Sequence, residues 1–276
     1  VMSIPTLVYT KDDETKRLVS EDKAKGLFKT YNSLVLNTSV TEPASISIWV
    51  EELKSVLKYS LPLVFTFLLG TGNRVWDVWF LGKAGSQAMA VASLAHLFTT
   101  VAGLSIGSGI LTAIDTLVAQ AFTGAKYPQT IGIIFQRALC VIFLFGALVT
   151  ILWLNAEPIL ISMGQDPALV TMAYTSILIA IPYMFIYFTN VALRKFLQSI
   201  GEMRITMYLI FITFPINIIS NYFLLIYLEL GYIGAALQLL MTSFILLLLY
   251  VFFLSYFTQT FQTYWPGFTK EAFHNW

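Results

Sequence analysis

The stretch IGAALQLLMTSFILLLLYVFFLSYF, residues 233–257, carries no charged side chain, and Gln238 is its only amide. As a helix rising about 1.5 Å per residue, it is long enough to cross a hydrocarbon layer about 30 Å thick. It has no polar face to show water, and within lipid a helix satisfies its own backbone N–H and C=O groups. Five more stretches of the same character precede it: 56–81, 88–111, 131–154, 169–193 and 205–228. The breaks between them, GKAG at 82–85, GAKYP at 124–128, GQDP at 164–167, GEMR at 201–204 and ELG at 229–231, are rich in turn residues. The expected fold class is therefore an all-α integral membrane protein with six transmembrane helices in one lobe over 51–257. A disordered cytosolic tail over 1–50 precedes the lobe, and a cytosolic segment over 258–276 comes after it.

Composition agrees with lipid as the solvent. Of 276 residues, 57% are hydrophobic and 11% charged, with mean hydropathy +0.75, where a soluble domain is about one quarter charged. The 16 basic and 15 acidic residues nearly cancel, so nothing points to nucleic acid as a partner. The single cysteine, Cys140, lies in an apolar stretch and reads as a small buried hydrophobe. No continuous apolar core marks a signal peptide in the first fifty residues, which hold a mixed-charge run over 11–25.

Loop charge sets the orientation, since Lys and Arg accumulate on the cytoplasmic side. Alternate loops hold Lys126, Arg137, Arg194, Lys195, Arg204 and Lys270, against Lys83 alone on the other side with Glu157, Asp166 and Glu229. Both termini are thus expected in the cytosol. The second stretch continues as an amphipathic segment over 112–122, expected to protrude into the cytosol or bend along the membrane surface.

Ionisable groups inside apolar spans are costly and mark candidate sites. Asp77, near the end of the first span, reads either as a proton or cation site or as a local ion pair with Arg74 one turn away. Asp115, near the cytosolic end of the second helix, reads as a partner for basic loops. In the fifth span Asn217 and Asn221 share one helical face just after Pro215, which frees a backbone carbonyl near Phe211. That face either lines a polar cavity or bonds a neighbouring helix. Asn190 and Gln238 lean toward interhelical bonding. Together with Arg74, Asp115, Gln120 and Arg194 they complete the candidates for lining or gating a cavity.

The run GLSIG at 103–107 matches a nucleophile-elbow pattern, but a membrane helix offers no strand-to-helix elbow, and the only later histidine, His274, is in the tail. Its glycines read instead as a close helix approach. His96 reads as an interior hydrogen-bonded residue, since no second metal ligand stands at the next turn. No Walker A loop is present. No enzyme, metal or cofactor is expected.

Three segments carry a family resemblance: ELKSVLKYSLP at 52–62, FLGKAG at 80–85 and ASLA at 92–95. They resemble the opening of MATE transporters, the multidrug and toxic compound extrusion family. The run GSGILTAIDTLVAQAFTG at 107–124, followed by Gln136 and Arg137, is similar to the eukaryotic branch in its fungal form. QDP at 165–167, RKFLQ at 194–198 and WPGF at 265–268 extend the likeness over about 51–276.

The resemblance implies a twelve-helix transporter of two six-helix lobes, of which this chain supplies the amino-terminal one, with the second lobe missing. It implies export of small organic compounds in exchange for H⁺ or Na⁺, with H⁺ preferred. It also implies a coupling site at Asp77, Asn217 and Asn221, although the archaeal pattern has an acid where this chain has Asn221. Animal and plant members carry their coupling glutamates mainly in the other lobe. Plasma and vacuolar membranes fit equally. Proton-coupled antiport predicts a polar cavity reaching Asp77; the alternative is a non-transporting membrane protein acting through helix packing or partners.

Overall fold

The computed structural model describes residues 46–124 and 129–257. The tail over 1–45, the loop over 125–128 and the segment over 258–276, including the WPGF motif, lie outside the described residues. The chain divides into two compact units, 1–57 and 58–276; only residues 46–57 of the first are described, as the opening turns of a helix, exposed from Trp49 onward. The candidate site residues all belong to the second unit.

Every described element is helical. Helix α1 is Ile46–Lys83, and α2 is Ser86–Thr99, followed by a wide π-helical segment Thr100–Leu104 and then α3, Ser105–Gly124. Next along the chain are α4, Gln129–Leu154, α5, Ala156–Ser162, α6, Pro167–Ser199, and α7, Met203–Asn221. A second π-helical segment, Tyr222–Tyr227, separates α7 from α8, Gly231–Phe257. Six runs are long and apolar enough to cross a membrane. Helix α1 begins at Ile46, within the stretch assigned to the tail, because its first turns contain nothing that breaks a helix.

Local chemistry fixes the ends. Asp166 caps α6 by accepting a 3.0 Å bond from the Ala168 N–H, with Pro167 at the first helical position, where its missing N–H costs nothing. At the other end Gly201 adopts φ +85° and lets the Glu202 N–H reach the Leu197 carbonyl at 2.9 Å. The short helix α5 went unread in the sequence, being too short and too polar at Glu157 to show a period. It is held to α6 by Thr171 donating to Glu157 Oε1 at 3.1 Å, and the Tyr174 hydroxyl fixes the adjoining end of α4 by donating to the Leu154 carbonyl at 3.1 Å.

Helix α6 is the hub, packing against α2, α3, α4 and α8. Ile142, Trp153, Ile177, Met184, Phe188 and Leu197 are fully covered there. The GLSIG glycines serve this hub: a Cβ on Gly107 would sit 2.2 Å from the Phe188 ring, and one on Gly103 would sit 2.7 Å from Val149. The close approach expected of them is thus made to two different helices within the chain. The amphipathic extension of the second span continues unbroken in α3, with Ile114 and Val118 buried.

The outer surface is apolar, with Leu144, Leu148 and Ile151 of α4 and Phe211 and Ile219 of α7 exposed, as lipid contact requires. Helix α1 is the least buried of the six spans. Its end carries Trp76, Trp79 and Phe80, with Lys83 Nζ 4.1 Å over the Trp79 ring, an amphipathic cluster suited to the bilayer interface.

Candidate functional site

Asp77 lies about one turn beyond the polar break Thr71-Gly72-Asn73 on α1, and Asn221 is the last residue of α7. The two side chains, 144 positions apart, meet: Asn221 Nδ2 donates to Asp77 Oδ1 at 2.7 Å. The same amide lies 3.1 Å from both the backbone carbonyl and the side-chain Oδ1 of Asn217, one turn earlier. Asn217 is also within hydrogen-bonding reach of the carboxylate. Both asparagines are almost fully buried, with 3% and 1% of their surfaces exposed, whereas Asp77 is half-buried. Asn217 and Asn221 face α1 together because four residues make nearly one helical turn.

Arg74 does not neutralise this acid. It acts on Asp77 through space, but the two form no ion pair. The local-pair reading of Asp77 is therefore not what the structure contains: Arg74 is exposed, and the carboxylate turns toward α7. A carboxylate held by neutral amides keeps the option of changing its charge, since both ionised and protonated forms can hydrogen-bond to an amide.

The other candidates scatter. Asp115 forms an ion pair with Lys195 at 2.5 Å, linking α3 to α6, with the Asp115 side chain 45% exposed. Asn190 Nδ2 donates to the Ser243 carbonyl at 2.8 Å and so joins α6 to α8, and Gln238 bonds Thr242 at 3.1 Å within α8. Arg194 is half-buried and lies near Tyr250, and Gln120 is exposed on α3.

None of these lines a small, largely apolar pocket with a few polar groups in its walls. It lies between α2, α6 and α8, bounded by Ala92, His96, Thr99, Ser176, Tyr183 and Tyr232 among others. This pocket lies away from the first and fifth spans, where a polar cavity was expected, and Asp77 is not among its walls. Sequence reasoning missed it; the one available signal was the small residues Ala92, Ala95, Ala235 and Ala236 on two different spans. His96 also departs from its reading as an interior residue. The buried stripe of α2 is Ala88, Val91, Ala95 and Thr99, and His96 falls one residue off it, exposed.

Comparison with known proteins places this geometry. The family model described as MatE matches residues 62–223, which include Asp77, Asn217 and Asn221. Protein DETOXIFICATION 17 of Arabidopsis thaliana is 32% identical over 238 residues, covering 85% of this chain and 49% of that protein. An uncharacterized transporter of Schizosaccharomyces pombe is 29% identical over 246 residues, covering 88% and 45% respectively. Among solved structures, the eukaryotic MATE transporter AtDTX14 superposes with a TM-score of 0.73 at 21% identity, over 81% of this chain and 50% of that one. An outward-facing multidrug resistance MATE family transporter superposes with a TM-score of 0.67 at 17% identity, over 80% of this chain and 49% of that one. The chain spans about half the length of the curated relatives it matches.

Proposed function

The chain belongs to the MatE family of membrane transporters, and on that premise we propose that it is one lobe of a proton-coupled antiporter that exports small organic compounds. The observation that carries this reading is the 2.7 Å bond between Asn221 and Asp77. An acid among apolar spans, held by amides rather than by a cation, is suited to bind and release a proton.

A hydrogen bond to an ionised acceptor contributes about 1.5–3 kcal/mol, and a neutral one about half that. Ionised, Asp77 holds α1 to α7 through Asn221. Protonated, it loses the charge-assisted part of that bond, and α1, the least buried span, loosens. A proton taken up on one side of the membrane thus biases two arrangements of the lobe, and a substrate that prefers the other arrangement drives the proton off. In this reading both termini lie in the cytosol, H⁺ rather than Na⁺ is the coupling ion, and a second six-helix body completes the transport path.

The test is flux. Proteoliposomes holding this lobe together with its second six-helix body under a pH gradient should move a fluorescent organic cation against its gradient, and Asp77→Asn should stop this. Undiminished pH-driven flux in Asp77→Asn would make the carboxylate structural and favour the alternative of a membrane protein acting through packing alone.

A further inference from the structure

The pocket between α2, α6 and α8 is small, about 60 Å³. Sites for drug-sized compounds measure about 300–1,000 Å³, whereas a single water needs only about 10–15 Å³. Size therefore excludes an organic substrate and suits a few waters. Five alanines leave the space open, and Thr99, Ser176, Tyr183 and Tyr232 supply polar atoms to the walls.

One of those atoms asks for a partner. Ser176 is almost fully covered, with 4% of its surface exposed, yet its Oγ has no hydrogen-bond partner among the described residues. A buried hydroxyl left unpaired costs about 1–3 kcal/mol, and water in a polar cavity is the usual remedy. Thr99 Oγ1 donates to the Ala95 carbonyl at 2.8 Å and keeps its lone pairs to accept from such a water.

His96 both lines this pocket and is exposed, so it stands at the mouth. Tyr183 on α6 and Tyr232 on α8 share the pocket with it, Tyr187 stacks beside Tyr183 at 5.7 Å between ring centroids, and Arg74 on α1 acts on His96 through space. Ionisable side chains gathered on one side of a membrane lobe mark a wetted face.

We propose that this pocket is an internal water site and that His96 at its mouth is a second proton-exchanging group of the lobe, distinct from Asp77. The exchange is balanced: a hydronium O–H bond breaks as the imidazolium N–H forms, leaving a water, and release reverses the step. Imidazole is the side chain suited to this near neutral pH. The inference builds on the transport reading for its purpose but not for its evidence.

The chain has two histidines, so His274→Gln leaves His96 as the only imidazole. In lipid nanodiscs with ¹⁵N-labelled histidine, proton-detected NMR should show magnetisation transfer from water to His96 and a protonation change between about pH 5 and 8. Ser176→Val, or Ala236→Val from the opposite wall should one variant fold poorly, should fill the pocket and cut that transfer several-fold. Asp77→Asn should leave it in place. Transfer unchanged in both filled variants, or an imidazole that never titrates, overturns the proposal. Loss of pH-driven flux with the water contact intact would instead speak to the transport step alone.

Discussion

Two carboxylates tie helices together in this lobe, and they do so with opposite partners. Asp115 meets the ammonium of Lys195 and joins α3 to the hub helix α6. Asp77 meets the amide of Asn221 and joins the least buried helix, α1, to α7. The first contact joins opposite charges, whereas the neutral amide of the second can bond a carboxyl group in either form. The packing around the two sites divides in the same way: α3 lies against α6 with no room at Gly107, while α1 touches α7 at Gly72 with a Cβ-to-ring spacing of 3.2 Å to Phe214. One region is packed to contact, and the other leaves more room.

The contrast can be broken most directly by exchanging the acids for amides. Asp77→Asn is expected to lower pH-driven flux by a factor of about ten or more, while Asp115→Asn lowers it by less than about threefold; equal losses would erase the distinction. The packing half is sharpened by two alanines. Gly107→Ala drives a Cβ to within 2.2 Å of Phe188 and should destabilise the protein by about 1–3 kcal/mol in thermal unfolding in detergent. Gly72→Ala meets only the edge of Phe214, and the gain in helix propensity of about 1 kcal/mol leaves it near neutral. A smaller effect comes from Asn190→Leu, which removes the bond to Ser243 and should cost about 1 kcal/mol or less. Smallest is the Asp115–Lys195 pair itself. A double-mutant cycle with Asp115→Asn and Lys195→Met should give a coupling of about 0.2–1 kcal/mol, as for other partly exposed pairs. A coupling well above that range would mean that the pair is shielded from water in the folded lobe.

The six spans were legible because length and apolarity alone decide whether a helix can cross lipid, as 233–257 shows without any tertiary information. Asp77, Asn217 and Asn221 were legible as costly residues for the same reason. Their meeting was not: two spans 144 positions apart in sequence come together through the packing of the helices between them. The π-helical segments and α5 left no mark either, since a widened turn has no composition of its own and a seven-residue helix has too few turns to show a period. His96 was misplaced because the buried stripe of α2 turns about 100° per residue, and one position of error moves a side chain from core to surface. The pocket was invisible because alanines define it by what they lack.

The π-helical segment Tyr222–Tyr227 comes directly after Asn221. A wide turn stores one surplus residue in the chain without disturbing the helix on either side. It is a place near the acid where length variation can be absorbed cheaply. Removing a single residue there would tighten the segment to ordinary α geometry and swing the chain leading into α8 about 100° around the axis, while the amides before it kept their hold on Asp77. Relatives that differ by one residue at this point could then present a different face of their last helix above an unchanged acid.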